Sequence, residues 1–170
     1  MIMWIIGLSG AGKTTLAKAV VDQARLEGRT VVLLDGDAVR DLFGNDLGHD
    51  LAGRRANADR ICRLCAFFDE QGLDVVCAVL SIFPESRNWC RANLSAYFEV
   101  FLDAPLNQLI ERDAKGIYGR FMRGEIREVA GLDMPFPHPE TADLVISNVG
   151  NRAALLGQAP TLAKILGGQS

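Results

Sequence analysis

The residues with the most defined chemistry are Gly7-Leu8-Ser9-Gly10-Ala11-Gly12-Lys13-Thr14-Thr15. A glycine, four free positions and then Gly-Lys-Thr is the pattern of a phosphate-binding loop. Glycines let the backbone turn its N–H groups inward around an anion, and a helix that follows adds partial positive charge. Lys13 has the reach for β- and γ-phosphates, and the Thr14 hydroxyl suits Mg²⁺. The loop therefore predicts a nucleoside triphosphate with magnesium and leaves the phosphate acceptor open.

Asp35-Gly36-Asp37-Ala38-Val39-Arg40 is the second such stretch. Phosphoryl transfer to a hydroxyl needs magnesium, a group that orients or deprotonates the acceptor, and cations on the developing charge. Asp35 and Asp37 suit the acceptor and the magnesium shell, and Arg40 suits an acceptor phosphate. The alternative on spacing alone is that Asp37 only caps a helix, with Arg40 on a solvated face. A third group is cationic: Arg112, Lys115, Arg120, Arg123 and Arg127, interleaved with Gly116, Gly119 and Gly124. The polar, glycine-bearing segment from Asp113 to His138 reads as a mobile lid that would exclude water on closing. A solvated basic helix is the plainer alternative.

The elements that position these groups follow from the apolar pattern. Ile2–Ile6, Val31–Leu34, Val75–Leu80, Phe98–Leu102 and Leu144–Ile146 read as five strands. Helices are predicted from the loop to about Glu27, over 38–43, 54–71, 85–96 and 105–112, and over 151–166 with a bend at Pro160. Strands alternating with helices predict an α/β fold with a parallel sheet. Gly7, Asp35, Ser81 and Asp103 each fall at a strand's carboxyl end, where open α/β sheets bind ligands.

Composition bounds the rest. With 170 residues, no repeats and no linker, one domain over 1–170 is expected. A net charge of −3 argues against a nucleic-acid polymer as partner, and no apolar run approaches the ~20 residues that span a membrane. Met1 to Leu8 is too short and too poor in Lys and Arg for a signal peptide, so a cytoplasmic address is expected. Cys62 and Cys65 fall in a helical pattern with no second pair, so Cys62, Cys65, Cys77 and Cys90 read as buried free thiols rather than a zinc site.

Five stretches together resemble the adenylyl sulfate kinase family: GLSGAGKTT at 7–15, DGDAVR at 35–40, NDLGH to RRAN at 45–57, ERDAKGIY at 111–118, and GEI to GLDMPF at 124–136. The resemblance implies a three-layer P-loop nucleotide/nucleoside kinase fold with a five-stranded parallel sheet and a lid. It implies transfer of the γ-phosphate of ATP, with Mg²⁺, to the 3′-hydroxyl of adenosine 5′-phosphosulfate. By the same resemblance, Gly7 to Thr15 bind ATP, with Arg112 and Lys115 closing over the phosphates. Thr14 and Asp35 hold magnesium, and Lys13, Asp35 and Asp37 are catalytic. Asp37, Arg40, Arg54, Asn57, Ser81, Ile82 and Lys115 surround the acceptor, with Phe136 stacked on its base. Ser81 matches the family's serine after its third strand, for which the resemblance implies a phosphoserine intermediate, although in-line transfer to a bound hydroxyl requires no covalent step. Members of the family are often homodimers, and no stretch here marks an interface.

Three departures lie on the acceptor side. His49 stands where the family has a stacking Phe, and a neutral imidazole stacks with less area. Gly53 replaces an Asp, and Ser81-Ile82-Phe83-Pro84 lacks the family's arginine, although Arg87 matches a later one. Residues 45–84 also resemble a bacterial branch that phosphorylates cytidine diphosphoramidate on its ribose 3′-hydroxyl in capsule biosynthesis. That compound is the alternative acceptor. A nucleotide-driven switch and a degenerate, binding-only kinase are weaker alternatives, because the chain is short, carries a lid, and keeps Lys13, Thr14, Asp35 and Asp37.

Overall fold

A computed structural model describes residues 1–113 and 115–168. Five parallel strands form one sheet: β1 (Ile2–Ile6), β2 (Val31–Asp35), β3 (Asp74–Val79), β4 (Tyr97–Asp103) and β5 (Leu144–Ser147). Their order across the sheet is β2-β3-β1-β4-β5. Ile2 of β1 lies in register with Val75 on one side and Tyr97 on the other.

Parallel crossovers put helices on both faces of a sheet, so its central strand must be apolar on both sides. Met3 and Ile5 enter one core with α1 (Lys13–Leu26) and α8 (Ala159–Leu166). Ile2, Trp4 and Ile6 enter the other, with α3 (Leu51–Glu70) and α4 (Pro84–Asn93). Burying each of these side chains stabilises the fold by about 1.5–3 kcal/mol. The result is three layers, with the four strand ends of the reactive residues on one edge.

Local chemistry explains where element boundaries depart from expectation. α3 starts at Leu51, ahead of the expected 54, because the Asp50 side chain caps it by accepting from the Gly53 N–H at 2.8 Å. After β4, Pro105 is the cap of α5 (Leu106–Arg112) rather than its first helical residue. The tail is two helices, α7 (Arg152–Leu156) and α8, parted at Gly157-Gln158, and Pro160 falls in the first turn of α8 where its missing N–H costs nothing.

The segment expected to act as a lid contains an unexpected helix, α6 (Ile117–Met122). The Asp113 carboxylate holds its start, accepting from the N–H groups of Tyr118 at 2.9 Å and Gly119 at 2.7 Å. All four cysteines are free and buried, and the Cys62 and Cys90 sulfurs lie 3.6 Å apart in the α3–α4 core. Among the described residues, no helix is long and apolar enough to cross a membrane.

Candidate active site

β1 delivers the phosphate loop onto α1. Gly12, the cap of α1, has φ 97°, and a Cβ there would sit 2.8 Å from the Leu155 Cδ2 and 3.2 Å from the Asn148 Nδ2. Only glycine meets both demands. The same Asn148 amide donates to the Ala11 carbonyl at 2.9 Å and braces the loop. Lys13 folds back across the loop, its Nζ donating to the Leu8 carbonyl at 2.8 Å. Burial and the nearby Lys115 charge lower its pKa to about 8, against a partial offset from Asp37 and Asp35.

The two aspartates separate into different positions. The Thr14 hydroxyl donates to Asp35 Oδ2 at 2.6 Å, while Asp35 Oδ1 accepts from the N–H groups of Asp37 and Ala38. Asp35, not Asp37, therefore caps α2 (Gly36–Leu42). Asp37 points from the first turn of α2, and its Oδ2 accepts from Lys115 Nζ at 2.5 Å. Burial works to raise the Asp37 pKa, but Lys115, Lys13 and His49 outweigh it and hold the carboxyl below its usual value. Thr14 and Asp35 give an adjacent hydroxyl and carboxylate. That hard-oxygen set fits Mg²⁺, which takes few protein ligands and completes its shell with phosphates and water.

Asp37, Arg40, His49, Arg54, Asn57, Ser81 and Ile82 all line one cavity beside these carboxylates. Arg40 is 7% exposed, and its NH1 donates to the carbonyls of Leu47 and Gly48, both at 3.0 Å. Arg54 donates to the His49 carbonyl at 2.7 Å and to the Glu128 carbonyl at 3.0 Å. Among the described residues, neither guanidinium forms an ion pair with a carboxylate. Burial lowers both pKa values, yet arginine stays charged near neutral pH, so the cavity carries cationic groups suited to an anion. Burial, then Arg40 and Arg54, push the His49 pKa down and keep its ring neutral at pH 7.

Asn57 Oδ1 and Ser81 Oγ are buried and without hydrogen-bond partners among the described residues, so a bound ligand could satisfy them. Ser81 has φ 55°, in the left-handed region, and its carbonyl accepts from Arg87 at 2.7 Å. Arg87 in turn lies 3.5 Å from the fully buried Glu99. This ion pair beneath the cavity was not foreseen, because a Glu inside an apolar strand gives no signal of its partner.

Other expected site residues lie elsewhere. Phe136 packs with Ile82, Phe83 and Met134, its ring stacked on Phe101 at 6.1 Å and 27°, and it is not in the cavity wall. Arg112 ends α5, donates to Gln108 at 2.8 Å and packs against Gly150. Arg120 and Arg123 both pair with Glu125, which neutralises part of this basic segment's charge. Helix α6 meets the phosphate loop through a residue not foreseen, Tyr118. It is 2% exposed and its hydroxyl donates to the Ser9 carbonyl at 2.9 Å. The tyrosine closing the ERDAKGIY stretch was its available signal.

Along the chain, a phosphate loop is followed by two carboxylates and then by the residues of a cationic cavity, and all are carried on one parallel sheet. The family model for adenylylsulphate kinase matches residues 1–147. The chain belongs to the adenylylsulphate kinase family. It is accordingly a phosphotransferase with an α/β P-loop kinase fold. An adenylyl-sulfate kinase of Paraburkholderia xenovorans is 42% identical over 148 residues, covering 85% of this chain and 82% of the relative. A cytidine diphosphoramidate kinase of Campylobacter jejuni is 36% identical over 147 residues, covering 86% and 85%. The structure of the Mycobacterium tuberculosis APS kinase in complex with AMPPNP and APS superposes with a TM-score of 0.88 at 30% identity, covering 98% of this chain and 96% of that one.

Proposed function

We propose that this adenylylsulphate kinase family member transfers the γ-phosphate of ATP to the ribose 3′-hydroxyl of adenosine 5′-phosphosulfate, giving ADP and the 3′-phosphorylated nucleotide. The observation that carries this reading is the position of Asp37 at 2.5 Å from Lys115, between the phosphate loop and a cavity whose two arginines lack carboxylate partners. The 5′-phosphosulfate would lie on Arg40 and Arg54, and Asn57 and Ser81 would hydrogen-bond the nucleoside. Asp37 would accept the 3′-hydroxyl hydrogen bond. The 3′ oxygen then forms a bond to the γ-phosphorus as the bond to the ADP oxygen breaks, and the hydroxyl proton passes to the carboxylate and on to water.

Lys13 and Lys115 would meet charge on the migrating phosphoryl group, where preorganised cations act most strongly. Magnesium, held by Thr14 with Asp35 beside it, would neutralise phosphate charge. Ser81 serves here as a hydrogen-bonding group. Among the described residues no base hydrogen-bonds its Oγ, which direct in-line transfer does not require. Four free thiols and a need for ATP agree with a cytoplasmic address and a role in sulfate activation.

A second reading, cytidine diphosphoramidate as acceptor in capsule modification, is favoured by His49. A neutral imidazole in the cavity offers less stacking area than a Phe and suits a smaller pyrimidine. The test is ADP release from Mg·ATP with each acceptor. Release that depends on either nucleotide supports the kinase reading, and acceptor-independent release contradicts it.

A further inference from the structure

We propose that Gly53 is a positioning residue for the acceptor: its missing side chain lets the 47–49 loop seat on the first turn of α3 and orient both cavity arginines. The inference rests on the phosphotransfer reading above. Gly53 lies in the first turn of α3, where alanine would favour the helix more than glycine does, so its presence calls for a compensating use. The use is close approach. A Cβ on Gly53 would run into the Gly48 carbonyl and would sit 2.8 Å from Asp50 Oδ1. Real Cβ atoms do not tolerate such contacts, so any side chain here must lift the loop.

The loop's carbonyls are what hold the guanidiniums. Leu47 and Gly48 accept from Arg40, and His49 accepts from Arg54. Three successive carbonyls thus fix two cations without neutralising them, and the same loop carries the His49 ring into the cavity. Gly53 touches none of the reacting groups and acts through Arg40 and Arg54.

The test is steady-state kinetics of Gly53→Ala on whichever acceptor the wild-type enzyme phosphorylates, alone and combined with Arg40→Lys. We expect KM for the acceptor to rise tenfold or more while KM for ATP stays within twofold. We also expect the Ala effect to be smaller in the Arg40→Lys background, without vanishing, since Arg40 is one of the two guanidiniums that the loop orients. Unchanged acceptor KM, equal rises in both KM values, or independent multiplication of the two effects would each overturn the proposal. Alanine favours helix, so folding is expected to survive. Gly53→Ser, with the same Cβ, repeats the measurement, and hydrogen exchange at amides 47–49 must be faster in either variant. A wild-type enzyme that phosphorylates neither nucleotide contradicts the reading of the site itself. Wild-type turnover with unaltered variants contradicts only the role of Gly53.

Discussion

The Thr14 hydroxyl donates to one oxygen of Asp35 at 2.6 Å while the other oxygen of that carboxylate caps α2. One side chain therefore ties the end of β2 to the phosphate loop and starts the helix that carries Asp37 and Arg40. The two roles separate by mutation. Asp35→Asn keeps an oxygen for the cap but loses the charge, so Mg²⁺ affinity should fall about 10–100-fold with little change in melting temperature. Asp35→Ala should add a loss of about 1 kcal/mol in stability from the missing cap. Magnesium titration of turnover, beside thermal melts, checks both.

Asp37 and Lys115 predict a different pattern. Asp37→Asn should lower kcat about 10²–10⁴-fold, the range for a lost acid–base group, and leave ATP affinity nearly unchanged. Lys115→Met removes a cation from both the carboxylate and the phosphates, so it should lower kcat and weaken ATP binding together. Because the pair is in direct contact, the double variant should lose less than the product of the single losses. Single-turnover kinetics with an ATP-binding assay separates these outcomes.

The lowered pKa of Lys13 predicts a pH signature. Its folded value is about 8, so in the free enzyme the charged form is lost as pH rises through 8. kcat/KM for ATP, which reports the free enzyme, should be level up to that point and then fall about tenfold per pH unit. Lys13→Arg stays protonated and should lose that falling limb, whatever its absolute rate. The stability sign follows from the same depression. Between pH 8 and the unfolded value of 10.5 the unfolded chain binds more protons, so this group's contribution improves with rising pH and is fully unfavourable below 8. Lys13→Met should therefore raise Tm at pH 7, with the gain shrinking toward pH 10.

Tyr118 couples α6 to the phosphate loop through the Ser9 carbonyl. Tyr118→Phe leaves that carbonyl short of a donor and should cost about 1–3 kcal/mol of stability. Since Ser9 belongs to the loop, KM for ATP should rise more than KM for the acceptor. Parallel titrations of the two substrates measure the split.

Much of this architecture was legible from residue patterns, and the gaps have physical reasons. β1 was placed to the residue, because a strand buried on both faces must be apolar at every position from Ile2 to Ile6. The Asp35–Arg40 stretch and the phosphate loop converge because parallel strands end on one edge of the sheet. Helix α6 was missed because glycines at 116 and 119 read as breakers, whereas Gly116 supplies the left-handed turn and Asp113 the cap. The capping role, weighed for Asp37 only as the alternative to an acceptor role, belongs to Asp35, two residues earlier, a difference below what spacing resolves. Arg87 and Glu99 meet only through long-range packing, and so do Phe136 and Phe101.

The phosphotransfer itself is tested most directly by identifying the product formed from Mg·ATP with adenosine 5′-phosphosulfate or cytidine diphosphoramidate, by mass and by the position of the new phosphate. A 3′-kinase gives one ADP per phosphorylated nucleotide, with the phosphate on the ribose 3′-oxygen and no reaction of the 3′-deoxy acceptor. ADP formed without a phosphorylated nucleotide, or a phosphate on any other oxygen, would contradict that activity.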